Sequence, residues 1–236
     1  MTRLARIRKT AYRKIRYHWI TERIQYELRR DPTLKLSQKR GLANHFEMKV
    51  NPGDVIIDCG ANIGDVTSLF ARAGATVYAF EPNPMCFSIL SSRFSALPLV
   101  HCFNQGVMDR DCKLTLSTPD PHERWDALET TIVSSFIQGA MHSDKYTVRE
   151  VEIECIDIDR FVRSLARRVR LLKLDIEGAE IAVINRLMDA GSIDLIDLIA
   201  AETHEGVITP LKDSTDALRR RIQHLGLEHK IRLDWD

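Results

Sequence analysis

Residues 55–64 read Val-Ile-Ile-Asp-Cys-Gly-Ala-Asn-Ile-Gly, an apolar run that passes into a turn bracketed by Gly60 and Gly64. A second apolar run, Thr76 to Phe80, ends in Glu81. A strand, a glycine turn, a helix and a second strand ending in a carboxylate describe a nucleotide-type cofactor pocket. The glycines permit a tight strand-to-helix turn with no Cβ between ligand and backbone, and an acid one βα unit later accepts hydrogen bonds from ribose hydroxyls.

The spacing argues against the dinucleotide version of that pocket. A G-x-G-x-x-G fingerprint needs glycine at 62 and 65, where this chain has Asn62 and Asp65. Asp65 also sets a negative charge at the helix N-terminus, where a pyrophosphate would be repelled. S-adenosylmethionine, which carries adenine, ribose, an amino-acid tail and a sulfonium cation but no phosphate, suits acidic and amide groups better.

From Asn51 onward the chain alternates strand and helix, the pattern of a mostly parallel sheet with helices on both faces, a three-layer αβα sandwich. A turn at Asn51 to Asp54 launches strand one. A helix over Asp65 to Ala73 ends at Gly74, and strand Thr76 to Phe80 is followed by Pro82-Asn83-Pro84 opening a second helix. Strand three is expected over Leu99 to Phe103. Lys113 to Ser117 and Thr130 to Phe136 interrupt the alternation, and the insertion through Thr147, with Trp125, is expected to carry substrate-contacting surface. A partly exposed strand over Val148 to Ile158 follows, then a helix over Arg160 to Arg168. The apolar runs Val169 to Leu174 and Leu195 to Ala201 read as buried strands, with helices over Glu177 to Leu187 and Thr215 to His224 and a last strand over Glu228 to Leu233. Ligands bind outside the carboxyl ends of such strands, so Asp58, Glu81, Asp175, Glu202 and His204 are expected on one rim.

Two segments are expected, a basic amphipathic helical extension over 1–48 and one α/β domain over 49–236. Residues 1 to 40 hold 13 Lys/Arg against three acids, while the remainder holds 21 against 30, so the overall +1 conceals a basic arm and an acidic body. The arm reads either as a lid across that body or as a contact for nucleic acid or an anionic surface. Hydrophobic content of 44% and charged content of 28% are ordinary for a soluble chain, with no apolar run long enough to span a bilayer, and a cytoplasmic location is expected. The five cysteines lack CxxC spacing and an even count, which speaks against a disulfide framework or zinc knuckle.

Val55 to Gly64, Phe80-Glu-Pro-Asn-Pro84 and Leu172-Lys-Leu-Asp-Ile-Glu-Gly-Ala-Glu180 together resemble the FkbM family of S-adenosylmethionine-dependent methyltransferases, over about residues 50 to 205. The resemblance implies a class I methyltransferase, Rossmann-like fold and methyl transfer to a hydroxyl of a sugar or secondary metabolite. It places Asp58, Gly60, Asn62 and Gly64 in the cofactor loop, Glu81 at the ribose and Gln105 at the adenine, with Asn104 as its neighbouring alternative. The chain departs from the pattern in Cys59, where an aliphatic is usual, and in showing one strand after the last helix where the fold closes with two.

An aliphatic hydroxyl, about as weakly acidic as water with a pKa near 15.7, needs a base or a cation to attack a sulfonium methyl. Asp175 and His204 are the candidate catalytic residues, His204 expected to have a pKa suited to accepting the proton. The plainer alternatives are a loop histidine and a helix cap for Asp175. Glu180 reads as a helix-dipole partner, and Lys173 either points off the rim or pairs with an acid. No metal is expected; the alternative is a divalent ion on Asp175, Glu202 and His204. A small hydroxylated acceptor is the favoured substrate. RNA methylation through the basic arm and a non-catalytic binding module are the rivals.

Overall fold

The structure, a computed structural model, describes residues 49–119, 148–206 and 208–233. The basic arm with its expected helices, the stretch holding Trp125 and the run Thr130 to Phe136 lie outside the described residues. The strands are β1 Val55–Cys59, β2 Thr76–Phe80, β3 Val100–Phe103, β4 Gly106–Met108, β5 Cys112–Pro119, β6 Val148–Asp157, β7 Val169–Leu174, β8 Ile196–Ala201 and β9 Ile231–Arg232. The helices are α1 Asp65–Arg72, α2 Pro84–Phe94, α3 Ile158–Ser164, α4 Glu180–Ala190 and α5 Lys212–His224, with 3₁₀ turns at Ser192–Leu195 and Thr209–Leu211.

Six strands form one sheet in the order β3-β2-β1-β7-β8-β9, every neighbour parallel. The chain starts in the middle at β1, steps outward to β3, then returns to lay β7 on the other side of β1. That reversal makes the β1/β7 seam the topological switch point, where a crevice opens at the carboxyl ends of the strands.

Alternation along the strands divides the core into two layers. Val55, Ile57 and Cys59 of β1 join Val183, Ile184 and Leu187 of α4 and Leu218 and Ile222 of α5 in one cluster. Ile56 faces the other way, toward Val66 and Phe70 of α1. Leu90 and Phe94 of α2 pack on Ala61 and Ala79. α1 and α2 therefore cover one face and α3, α4 and α5 the other, the expected three-layer Rossmann-like sandwich.

A second, three-stranded sheet runs β4-β6-β5, with β6 antiparallel to β5 and parallel to β4. In β6, Ile153 and Cys155 are buried while Glu152 and Glu154 face solvent, the expected period-two strand. The sequence pattern does not predict β4, whose three residues are too short to show a period of their own. α3 starts at Ile158, earlier than expected, because the Asp157 side chain accepts from the amides of Asp159 and Arg160 and caps it. β9 is shorter than expected and pairs directly with β8.

Candidate active site

The loop after β1 is locked to both neighbouring strands. The amides of Gly60 and Ala61 both donate to the Phe80 carbonyl, at 3.0 and 2.9 Å. Gly60 has φ +75°, and a Cβ there would lie 1.8 Å from the Asp175 carbonyl oxygen. Gly64 has φ +88°, and its Cβ would strike the side chains of Phe94 and Leu90. The missing side chains thus make room for protein, β7 at one glycine and α2 at the other, whereas the sequence alone suggests that they clear a path for a ligand.

Glu81, at the end of β2, is buried and holds the same loop. Its Oε2 accepts from the Asn62 amide and its Oε1 from the Asn83 amide, each at 2.8 Å. Burial pushes its pKa up to about 7, against the two amides and Lys173, which pull it down. Each oxygen keeps a second lone pair for a hydroxyl. Asn62 sits at φ +52° with its Oδ1 accepting from the Ile63 amide. Gln105 is half-buried between β3 and β4, and Asn104 donates to the carbonyls of Glu81 and Pro82 at 2.9 and 3.0 Å.

Asp58, near the carboxyl end of β1, is fully buried and accepts from the Thr67 hydroxyl at 2.6 Å. Lys173, 1% exposed, answers its charge. The ammonium stands 3.2 Å from Asp58 and 3.3 Å from Asp175, and donates to the Gly60 carbonyl at 2.7 Å. These carboxylates hold the lysine charged in spite of burial. Of the two readings left open for Lys173, the acid-paired one is the observed one, and it ties β1, its loop and β7 together.

Past β7 the chain turns sharply, with Glu177 at φ +56° and Gly178 at φ +110°, so α4 starts at Glu180 and not at Glu177. Asp175 does not cap it. Glu180, 1% exposed, takes over the turn by accepting from the amides of Ile176 and Gly178 at 2.8 and 2.9 Å. His204, after β8, faces this turn: Nδ1 lies 3.4 Å from Glu180 Oε1, Nε2 3.4 Å from Glu177 Oε2 and 3.9 Å from Asp175 Oδ1.

Three carboxylates around one imidazole overcome the desolvation that opposes its charge and raise its pKa to about 9. His204 is therefore an imidazolium at neutral pH, which corrects the expectation of a ring ready to accept a proton. Burial raises Glu177 as well, up to about 7, with His204 drawing it down. Ligand atoms of Asp175, Glu177 and His204 lie within 4.8 Å of one another, so Glu177 stands in this group where the sequence suggests Glu202. Glu202 is half-buried at the end of β8, its amide bonded to the Leu174 carbonyl.

The rim thus gathers Glu81, Asp175 and His204 as expected, with Asp58 beneath. Thr67 is a member that the sequence reading does not single out, and Glu180, read there as a helix-dipole partner, instead holds the turn and faces His204 together with Glu177. The run Asp-Ile-Glu-Gly-Ala-Glu over 175–180 carries a signal, since a glycine after an acid marks a turn and breaks the helix that the acids alone suggest.

The profile of the Methyltransferase FkbM domain matches residues 58–227, from the loop aspartate to the turn after α5. The chain belongs to this family. It is 30% identical to Methyltransferase 1 of Beauveria bassiana over 62% of its own length and 63% of that protein's. It is 27% identical to 31-O-demethyl-FK506 methyltransferase FkbM of Streptomyces tacrolimicus over 67% and 68%, and 28% identical to Methyltransferase sdnD of Sordaria araneosa over 64% and 66%. The match to this FkbM-family chain therefore spans about two thirds of these relatives, slightly less for the first and third.

Proposed function

We propose that this FkbM-family protein is an S-adenosylmethionine-dependent O-methyltransferase acting on the hydroxyl of a small acceptor. The observation that carries the reading is Glu81: a buried acid, oriented by two backbone amides, at the strand end next to the switch point, with lone pairs left for the vicinal hydroxyls of a ribose. Asn62, Gly60 and Gly64 shape the loop beside it, Asp58 anchors that loop through Lys173, and Gln105 or Asn104 borders the adenine end. The S. tacrolimicus relative, whose name specifies a 31-O methylation, supports an oxygen acceptor.

S-adenosylmethionine, when bound, supplies an electrophilic methyl on a sulfonium sulfur. The chain's own residues orient the acceptor and take up its proton. Asp175 and Glu177 present carboxylate oxygens to an acceptor hydroxyl, and the protonated His204 holds both in place. With Glu177 near 7 and an aliphatic hydroxyl near 16, proton loss must accompany carbon–oxygen bond formation.

Calorimetric titration of the protein with S-adenosylmethionine and with NAD⁺ tests the cofactor. The expected result is saturable binding of the first, absent for the second and lost in Glu81→Ala. Labelled-methyl transfer to a panel of hydroxylated small molecules tests the acceptor. Failure to bind S-adenosylmethionine at all overturns the proposal.

A further inference from the structure

We infer that Asp175, Glu177 and His204 form a divalent-cation site, with Glu180 as the carboxylate that orients the histidine. The inference deepens the reading above and rests on it for its chemical role.

Ligands arranged around one cation at about 2.1 Å are separated from one another by roughly 3 to 4.2 Å. Nε2 of His204 lies 3.4 Å from Glu177 Oε2 and 3.9 Å from Asp175 Oδ1, within that range. The other ring nitrogen, Nδ1, faces a different and almost fully buried carboxylate, Glu180, at 3.4 Å. Glu180 is itself fixed by the amides of Ile176 and Gly178. A carboxylate held behind one imidazole nitrogen sets the tautomer, so that the opposite nitrogen presents its lone pair to a metal. This is a mixed oxygen and nitrogen donor set from two strand ends, with its orienting group in place.

Charge points the same way. The Lys173 ammonium stands against Asp58 and Asp175, while Glu177 and Glu180 stand against His204, so a divalent ion that takes the place of the imidazolium proton sits among negative charge. Lys173 meets Asp175 through Oδ2, leaving Oδ1, the oxygen nearest His204, for a cation. Glu177 is about one-third exposed and Asp175 similar, so an ion has an open side for water or for an acceptor hydroxyl. Two carboxylates with one imidazole suit Mn²⁺ better than a Ca²⁺ cage of oxygens alone. A hydroxyl on such a cation is far more acidic than a free one, so a neighbouring carboxylate oxygen can take its proton. Glu177 gives one oxygen to the ion and keeps the other to receive the proton, while the second oxygen of Asp175 stays with Lys173.

Titration of the full chain with MnCl₂ alone, followed by the loss of the free Mn²⁺ electron paramagnetic resonance signal, tests the site without any turnover. One equivalent is expected to bind. Affinity should fall about tenfold or more in Glu177→Gln and in His204→Gln, and stay within about twofold in Glu202→Gln, with circular dichroism reporting that each variant is folded. Absence of stoichiometric binding, or binding that all three substitutions leave alike, overturns the inference. S-adenosylmethionine titrated in parallel separates the two readings: cofactor binding without manganese removes the metal site and leaves methyl transfer standing, while manganese without the cofactor does the reverse.

Discussion

On the β1–β2 side of the rim, Glu81 meets two backbone amides and its loop is fixed by further amides bonded to Phe80. On the β7–β8 side, Asp175, Glu177 and Glu180 converge on one imidazole, and of these three Glu180 is the one anchored to nearby backbone amides. The first region is a cradle around one acid, shaped before any ligand arrives and suited to hydroxyls. The second is a concentration of negative charge, suited to a cation or to a proton in transit. Lys173 stands between them and touches both, through Asp58 and the Gly60 carbonyl on one side and Asp175 on the other.

The largest effect that breaks this division is therefore Lys173→Met. It leaves Asp58 fully buried without its counter-charge, and urea unfolding is expected to show a loss of about 3–5 kcal/mol. Adding Asp58→Asn should recover a large part of it, because a carboxamide at that position still accepts from Thr67 and carries no charge. A single variant as stable as the parent would mean that the two sides are joined by something other than this ion pair.

Gly60→Ala comes next, read against Gly53→Ala. Both glycines have a positive φ, +75° and +88°, but a Cβ at 53 meets nothing within 4 Å whereas one at 60 meets the Asp175 carbonyl at 1.8 Å. The Gly53 variant should cost about 1 kcal/mol from backbone strain alone. The Gly60 variant should cost about 3 kcal/mol, since β7 must also move away from the loop. Equal denaturation midpoints would show that the seam yields without cost.

The two sides also differ in how far the sequence discloses them. The cradle is legible because its parts are local: Gly60, Gly64 and Glu81 follow strands whose apolar runs are continuous, and parallel strands buried on both faces leave that mark. The succession of strands and helices, apart from β4, follows from the same runs. The charged side is half legible. Asp175 and His204 stand out at strand ends, but the acids at 177 and 180 read as one helical face. Only the left-handed backbone at Glu177 and Gly178 turns the first toward the rim and the second into the core. Spacing cannot report a change of backbone region at a non-glycine residue. Why His204 stays protonated is equally invisible in the sequence, because Glu180 approaches it through tertiary packing.

Glu180→Gln sharpens the comparison from the charged side. A carboxamide offers one accepting oxygen where the carboxylate offers two, so one of the Ile176 and Gly178 amides loses its acceptor. Thermal or urea unfolding should register about 2 kcal/mol, less than either seam variant. The cradle should be untouched, so binding of S-adenosylmethionine is expected to stay near the parent value. A loss of cofactor affinity as large as the loss in stability would mean that the two regions are one cooperative unit.

The smallest expected effect lies in the pH dependence of the cradle, and its two parts run in opposite directions. Glu81 is raised from 4.5 to about 7, so between those values the folded protein holds a proton that the unfolded chain has released. Its contribution to the stability of the ligand-free protein is present below 4.5 and is lost as pH rises through 7. Ribose hydroxyls, however, donate more strongly to a carboxylate than to a neutral acid, by about 1 kcal/mol. Calorimetric affinity for S-adenosylmethionine should therefore rise about three- to fourfold from about pH 6 to about pH 8, and this rise should vanish in Glu81→Gln. An affinity that falls over that interval would make the protonated acid the binding form and turn Glu81 from acceptor into donor.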